Sequence, residues 1–434
     1  MEPGNETSRA QTNVLGFESD VDRDLERRPL SRGALSTQRR VAGVISLALV
    51  GIMAAWTVVV AANASGRSKF VGNVYADEDL AAAITRASPG DVILVHAGIY
   101  PHIRLSTQFA SKVTVKAAPG ETVTLRGIEL SNASFLTFKG FTIDSGSNSD
   151  DNLLITGTTH DIVIAGNSIH GGQFGIYVGG QSPDSWPYNV VVHRNEIFNA
   201  YNDDVHVSGV KNMTIADNFI HDPQVNGQHN DGVQVIAADT MVITRNHITF
   251  IGYNHTGGPN QGIILGRADP YDASRYVRNI TLSANLIDHW QGTPIILAGT
   301  SNVKVVNNTA YDSGPRLTWT AFNMTAKKRP AQFDNIGVEV WNNIFNRMTI
   351  SDGSRWPTYC AYNLVWPRGG DTCGRSLITS NPRFVDHIAY KLRPSSPALS
   401  SGITRQGTPR LDLGGLRYLS HPARGARSRL RHPR

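Results

Sequence analysis

The sequence predicts an all-β chain wound into a parallel β-helix, a solenoid of three-strand coils, preceded by one transmembrane helix. Three observations carry the solenoid. The composition holds 41 Gly with abundant Asn, Asp and Thr, which favours strands and turns over helices. One apolar alternation recurs, as DIVIAGNSI, NVVVHRNEI, NMTIADNFI, TMVITRNHI, NITLSANLI, NVKVVNNTA and GVEVWNNIF, each with an asparagine at the same place: Asn167, Asn195, Asn218, Asn246, Asn285, Asn308 and Asn343. Their separations of 28, 23, 28, 39, 23 and 35 residues share a base of 23 with insertions, the mark of a coil with variable loops.

The N-terminal elements differ in kind. Residues 1–40 carry seven Arg and seven acids with little hydrophobic periodicity and predict a disordered cytoplasmic segment. Residues 41–62, VAGVISLALVGIMAAWTVVVAA, form a 22-residue run without a charge, long enough to span a bilayer as one helix. Arg39 and Arg40 precede it, so the positive-inside rule keeps the N-terminus cytoplasmic and exports the rest. The expected location is therefore the cell membrane, single-pass, with secretion after cleavage near Ala64 as the alternative. A linker at 63–69 leads to the β-helix at 70–404, and 405–434 forms a C-terminal edge and basic disordered tail.

The formal charge of +6 is misleading about partners. The last thirty residues hold eight arginines against Asp412, a net +7 that leaves the remainder at −1. No nucleic-acid footprint lies outside that tail, so no nucleic acid is expected, and the chain is expected to be a monomer. No Gly-rich phosphate loop, serine elbow or zinc-ligand spacing is present. Cys360 and Cys373 are the only cysteines; both fall on the exported side, where an oxidising compartment permits a disulfide.

Within the β-helix, a second short strand lies between the asparagine units: LLIT, GIYVGG, DVHVSG, GVQVIAA, GIILGRA and PIILAGT. Each coil then holds three strands, stacks on its neighbours at about 4.8 Å, and is stable only through them. The asparagines fit an internal ladder of amides that bond backbone groups left unpaired by the tight turn. The opening SPGDVILVHAGIY, the repeat NxTIxxNxI and the ending NPRFVDHIAYKLRPSSPALSSGI resemble the right-handed parallel β-helix proteins of the pectate-lyase-like superfamily, over roughly residues 70 to 418. The resemblance is specific for fold and leaves the reaction open, because that superfamily holds lyases, hydrolases, epimerases and proteins without activity.

The resemblance implies that the first strand of each coil forms an exposed sheet on which a polysaccharide lies. Strand alternation points Val205, Val207, Val233, Val235, Ile263 and Leu265 inward, and Tyr177, Asp204, His206, Ser208, Gln234 and Ile264 outward. YNDDVHV and HNDGVQV align as consecutive coils, which gathers Asp203, Asp204, His206, His229, Asp231 and Gln234 into one patch. Insertions around it carry Trp186, Tyr253 and Tyr271, and Trp290 precedes the next strand; flat rings with polar tips suit stacking on sugars.

Three chemistries compete for that patch. Asp203, Asp204 and Asp231 supply oxygen ligands for Ca²⁺, with Arg267 or Arg278 as the base of a β-elimination on a uronate and with Gln234 and His206 orienting the sugar. The order of this region looks like that of pectate lyases, although GTPIILAG carries no arginine where those enzymes place theirs. Alternatively, Asp203 and Asp204 form the acid–base pair of a hydrolase supported by His229, an arrangement similar to polygalacturonases. An epimerase using Tyr177, His206 or His229, or an inert glycan-binding scaffold in which the aspartates serve turns, are the remaining readings. The expectation is a Ca²⁺-assisted lyase of an acidic polysaccharide.

Overall fold

The computed structural model describes residues 69–224, 230–250, 261–266, 275–290, 292–311, 320–325, 334–351, 354–367, 374, 376–385, 390–399 and 401–403. The expected cytoplasmic segment, the 41–62 span, Ala64 and the basic tail lie outside the described residues. Among the described residues no helix is long and apolar enough to cross a membrane.

The alternation predicted from sequence is realised as a solenoid of parallel strands with almost no helix. First strands such as Leu153–Thr156 and Ile176–Gly179 stack in register, Leu153 on Ile176 and Ile176 on Val205. Second strands such as His160–Ala165 and Tyr188–His193 do likewise on another face. Short third strands, among them Ser168–His170, Glu196–Phe198 and Phe219–His221, build a separate 11-stranded sheet. In Val205–Ala216 and Val233–Thr244 the first and second strands run together as one element.

Because strand side chains alternate, each coil sends every second residue into the bore. Ile155, Val178, Val207, Val235, Leu265, Leu297 and Met324 form one such column, every member fully buried. A short helix, Leu80–Thr85, closes the N-terminal end; Asp79 accepts the Ala82 N–H as its cap, and Leu80 and Ile84 are buried.

The predicted asparagine ladder is present and one rung longer than the sequence reading. The backbone N–H of Asn167 donates to Oδ1 of Asn195, and the pattern repeats through Asn218, Asn246, Asn285, Asn308 and Asn343 to Asn363 at 2.9 to 3.1 Å. Each Nδ2 also bonds the next Oδ1 and a strand carbonyl, as Asn246 does to Asn285 and to Ile215. A second row stands where the second strands begin: Asp161, Asn189, Asn212, Thr240, Asn279 and Asn302, with φ between 53° and 62°. Asn212 bonds Asn189 at 2.7 Å and Asn302 bonds Asn279 at 2.6 Å. Asn adopts this left-handed backbone at less cost than a β-branched residue does.

Beyond Leu364–Val365 the described chain adds one more parallel bridge, Ile378 on Leu364. It folds back over the outer side of the third-strand sheet, where Phe384, Tyr390 and Ala398 pack on Leu286, Tyr311, Ile344 and Leu364. Ile403 exchanges two hydrogen bonds with the Asn342 side chain. Cys360 is disulfide-bonded; Cys373, the chain's other cysteine, lies outside the described residues.

Thr240 interrupts the second row with a left-handed β-branched residue between Asn212 and Asn279. Thr240→Asn should raise the unfolding free energy by about 1 kcal/mol, through relief of the backbone penalty and restored amide contacts, seen as a higher urea midpoint.

Candidate functional site on the first-strand face

Register fixes which residues share the outer surface of the first strands. Leu154, Tyr177, His206, Gln234, Ile264, Ile296 and Asn323 form one outward row on successive coils. Three residues upstream of its members stand Asp151, Phe174, Asp203, Asp231 and Gln261, at the entrances to the strands. Each aspartate there uses its carboxylate to hold the next coil. Asp203 Oδ1 accepts the Asp231 N–H at 2.9 Å, Asp231 Oδ1 accepts the Gln261 N–H at 2.8 Å, and the Asp151 carboxylate accepts the Phe174 N–H.

The second oxygen of each carboxylate faces the outward residue three positions on. Asp203 Oδ2 meets His206 Nδ1 at 2.8 Å, and Asp231 Oδ2 accepts from Gln234 Nε2 at 3.0 Å. In the first of these coils the outward residue is Leu154, so Asp151 Oδ1 is buried with no hydrogen-bond partner. Burial, reinforced by Asp150 and opposed by the Phe174 N–H and His206, raises the Asp151 carboxyl to about 6.

His206 is held on three sides. Asp203 fixes Nδ1, Phe174 packs at 4.7 Å, and Tyr177 stacks nearly parallel at 5.3 Å and 11°. An Nδ1–H donated to the Asp203 carboxylate would make Nε2 the ring's acceptor. The Tyr177 ring lies along the row because Gly179 offers no Cβ, which would come within 2.8 Å of the ring and 3.1 Å of Ser208 Cβ. At that end Arg275 Nη1 donates to Ser208 Oγ at 3.1 Å and to its carbonyl at 3.3 Å, so a guanidinium stands on the face.

The structure corrects the expected role of Asp204. Alternation predicts an outward side chain, yet Asp204 is 0 % exposed: the chain bends there, and the carboxyl turns back under the preceding turn to accept the Ala200 N–H at 3.4 Å. Asn152 occupies the same row position and bonds Ser145, His170 and Gly171 across its turn. Asp204 Oδ2 finds no such partner. Burial above all, then the Asp203 and Asp222 charges, holds this carboxyl well above the usual carboxylate range. Asp203 and Asp204 therefore do not form an acid–base pair accessible to a sugar.

The expected Ca²⁺ ligand set does not fit either. All four carboxylate oxygens of Asp203 and Asp231 hold hydrogen bonds within the fold, and Asp204 is a buried acid. Among the described residues no group of three or more His, Cys, Asp or Glu is placed to hold a metal ion.

Of the remaining predicted residues, Tyr177, Gln234 and His206 are together on the row. Trp186 and Trp290 are not sugar platforms: they are 1 % and 0 % exposed. Trp186 packs over Gly209, and Trp290 belongs to the core beneath Gly232. Arg278 sits on a second strand, Val277–Ser283, ion-paired with Asp239 at 2.7 Å and lying over the Tyr276 ring, so it does not share the row with His206. His229, Arg267, Tyr253 and Tyr271 lie outside the described residues. Sequence reasoning missed Asp151 and Phe174. The signal for Asp151 was present, since DDNLLIT puts an acid as far before its strand as Asp203 and Asp231 stand before theirs.

The model of the family described as right handed beta helix region matches residues 121–355. No curated protein sequence matches the chain. Among solved structures it is similar to the pectate lyase Pel9A, with a TM-score of 0.54, 14% identity, and coverage of 81% of this chain and 97% of that one. The Azotobacter vinelandii mannuronan C-5 epimerase AlgE4 A-module (TM-score 0.41, 13% identity, 72% and 94% covered) and the Streptococcus pneumoniae surface protein and adhesin PfbA (0.42, 11%, 72% and 100%) are also similar. At these identities the likeness is one of fold.

A prediction follows from the buried acid. The Asp204 proton is bound more tightly in the folded chain than in the unfolded one. Its contribution is thus fully present below the ordinary value of 3.8 and is lost as pH rises through the raised folded value. Asp204→Asn removes that pH dependence. Urea unfolding should show the variant gaining on the wild type as pH rises above 3.8, by on the order of 1 kcal/mol or more; a constant difference between the two as pH rises would contradict a buried titrating acid.

Proposed function

Because the chain belongs to the right-handed β-helix family, we propose that it lays an extended acidic polysaccharide along the Tyr177–His206–Gln234 row and removes the proton next to a uronate carboxylate. The observation that carries this reading is the Asp203–His206 pair, 2.8 Å apart, with the Tyr177 ring stacked beside it. A carboxylate that accepts from Nδ1 orients the imidazole and stabilises it once protonated, as a general base requires. His206 takes the proton from C5 through Nε2, the C–H electrons form the C4–C5 double bond, and the C4–O bond breaks. Tyr177 gives its proton to the leaving oxygen.

Both groups rise from adjacent coils of one sheet and meet the sugar from the same side. That arrangement suits elimination better than epimerisation, which needs a donor on the opposite side. Arg275 and Gln234 supply a cation and an amide for the uronate carboxylate. The 41–62 run would tether this activity to the outer side of a membrane.

A second reading, a glycan-binding scaffold without turnover, is favoured by one observation: Asp203 and Asp231 each cap the next coil and are needed by the fold itself. One assay separates the two. The purified chain is incubated with a panel of uronate polysaccharides while the ultraviolet absorbance of the new double bond is followed. The lyase reading expects absorbance that falls about 100-fold or more in His206→Gln with the melting temperature unchanged. Binding without absorbance, unaffected by that variant, would leave the scaffold.

A further inference from the structure

A cavity of about 450 Å³ lies where the C-terminal segment folds against the third-strand face, lined by Tyr311, Asn381, Arg383, Phe384, Arg393 and Ser395. Its size falls within the range of small-ligand sites. Two features make it unusual. Arg383 and Arg393 stand opposite each other beside the antiparallel bridge between Phe384 and Leu392, with the Arg393 N–H donating to the Arg383 carbonyl at 2.9 Å. Like charges placed directly opposite across paired strands destabilise that pairing.

Neither guanidinium is neutralised within the described residues. Arg383 Nη1 donates to the Ser395 carbonyl at 3.2 Å, and Arg393 Nε donates to the Phe384 carbonyl at 3.1 Å. These bonds hold the side chains and leave the remaining N–H donors and both charges unspent. At the base of the cavity Tyr311 and Phe384 are buried and meet edge to face at 5.1 Å. The acid in register with Tyr311, Asp288, is bonded to His247 and His289, so its charge is already engaged.

We propose that this cavity is an oxyanion site that grips a carboxylate of an acidic polysaccharide, on the third-strand side of the solenoid and apart from the His206 row. Two guanidinium forks match the planar carboxylate. A polymer held here is kept at the surface whether or not the first-strand face acts on it. The polymer class rests on the reading of that face; the anion site does not.

The full chain is titrated by calorimetry with a uronate oligosaccharide, with its carboxyl-reduced counterpart and with inorganic phosphate. The expected result is tighter binding of the uronate oligomer than of either other probe, and a loss of about tenfold or more when Arg383→Gln and Arg393→Gln are combined. Arg383→Lys with Arg393→Lys keeps the charge and removes the forks, and guards against a Gln pair that fails to fold; its affinity should fall to an intermediate level with an unchanged melting temperature. His206→Gln should leave the arginine-dependent part intact, so that the anion site and the elimination chemistry fail separately. Unchanged affinity in the folded Gln or Lys pair, or phosphate bound as tightly as the oligomer, overturns the proposal.

Discussion

The chain's architecture depends on one interaction: the hydrogen bond from each buried asparagine amide to the next. A β-helix must turn sharply between its second and third strands, and every turn strips backbone N–H and C=O groups of their sheet partners inside the protein. Asn167 and its successors answer both needs at once, accepting from one backbone N–H and donating to a strand carbonyl while touching the amide of the next coil. Each bond contributes only about 0.5 to 1.5 kcal/mol net, but leaving its groups unmade would cost more. The ladder also fixes register. Asn246 and Asn285 are 39 residues apart and bond as Asn195 and Asn218 do across 23, so a loop can grow without shifting the strands that flank it.

Fixed register is what turns distant residues into rows, and the rows explain why structure and chemistry share side chains here. A carboxylate at a strand entrance caps the coil that follows with one oxygen and presents the other to the surface. What that second oxygen meets depends on a single residue three positions on: histidine in one coil, glutamine in the next, leucine two coils before. The same backbone device therefore yields an oriented imidazole at His206, a fixed amide at Gln234 and an unsatisfied acid at Asp151. Asp203 cannot be treated as purely catalytic or purely structural, since removing it withdraws both bonds.

Much of this was legible in the sequence because a solenoid repeats its constraints. The asparagine spacing revealed the coils, and alternation placed Tyr177, His206 and Gln234 on one face. The failures share a physical cause. Alternation holds only inside a strand, so Asp204, at the bend before Val205, did not obey it. Aromatic residues in insertions look alike whether they cover a sugar site or fill a gap; Trp186 and Trp290 fill gaps opened by Gly209 and Gly232. Clustered aspartates suggested a cation, while the backbone donors that occupy Asp203 and Asp231 carry no signature in the sequence.

The short N-terminal helix has a consequence beyond its own packing. A stack of parallel strands ends in an open edge, with apolar bore and unpaired backbone exposed, and such an edge is a template onto which another chain can add. Leu80 and Ile84 plug the bore at that end. With those two side chains buried, that end of the stack presents less apolar surface to a second chain, so the helix limits end-to-end association as well as packing its own coil.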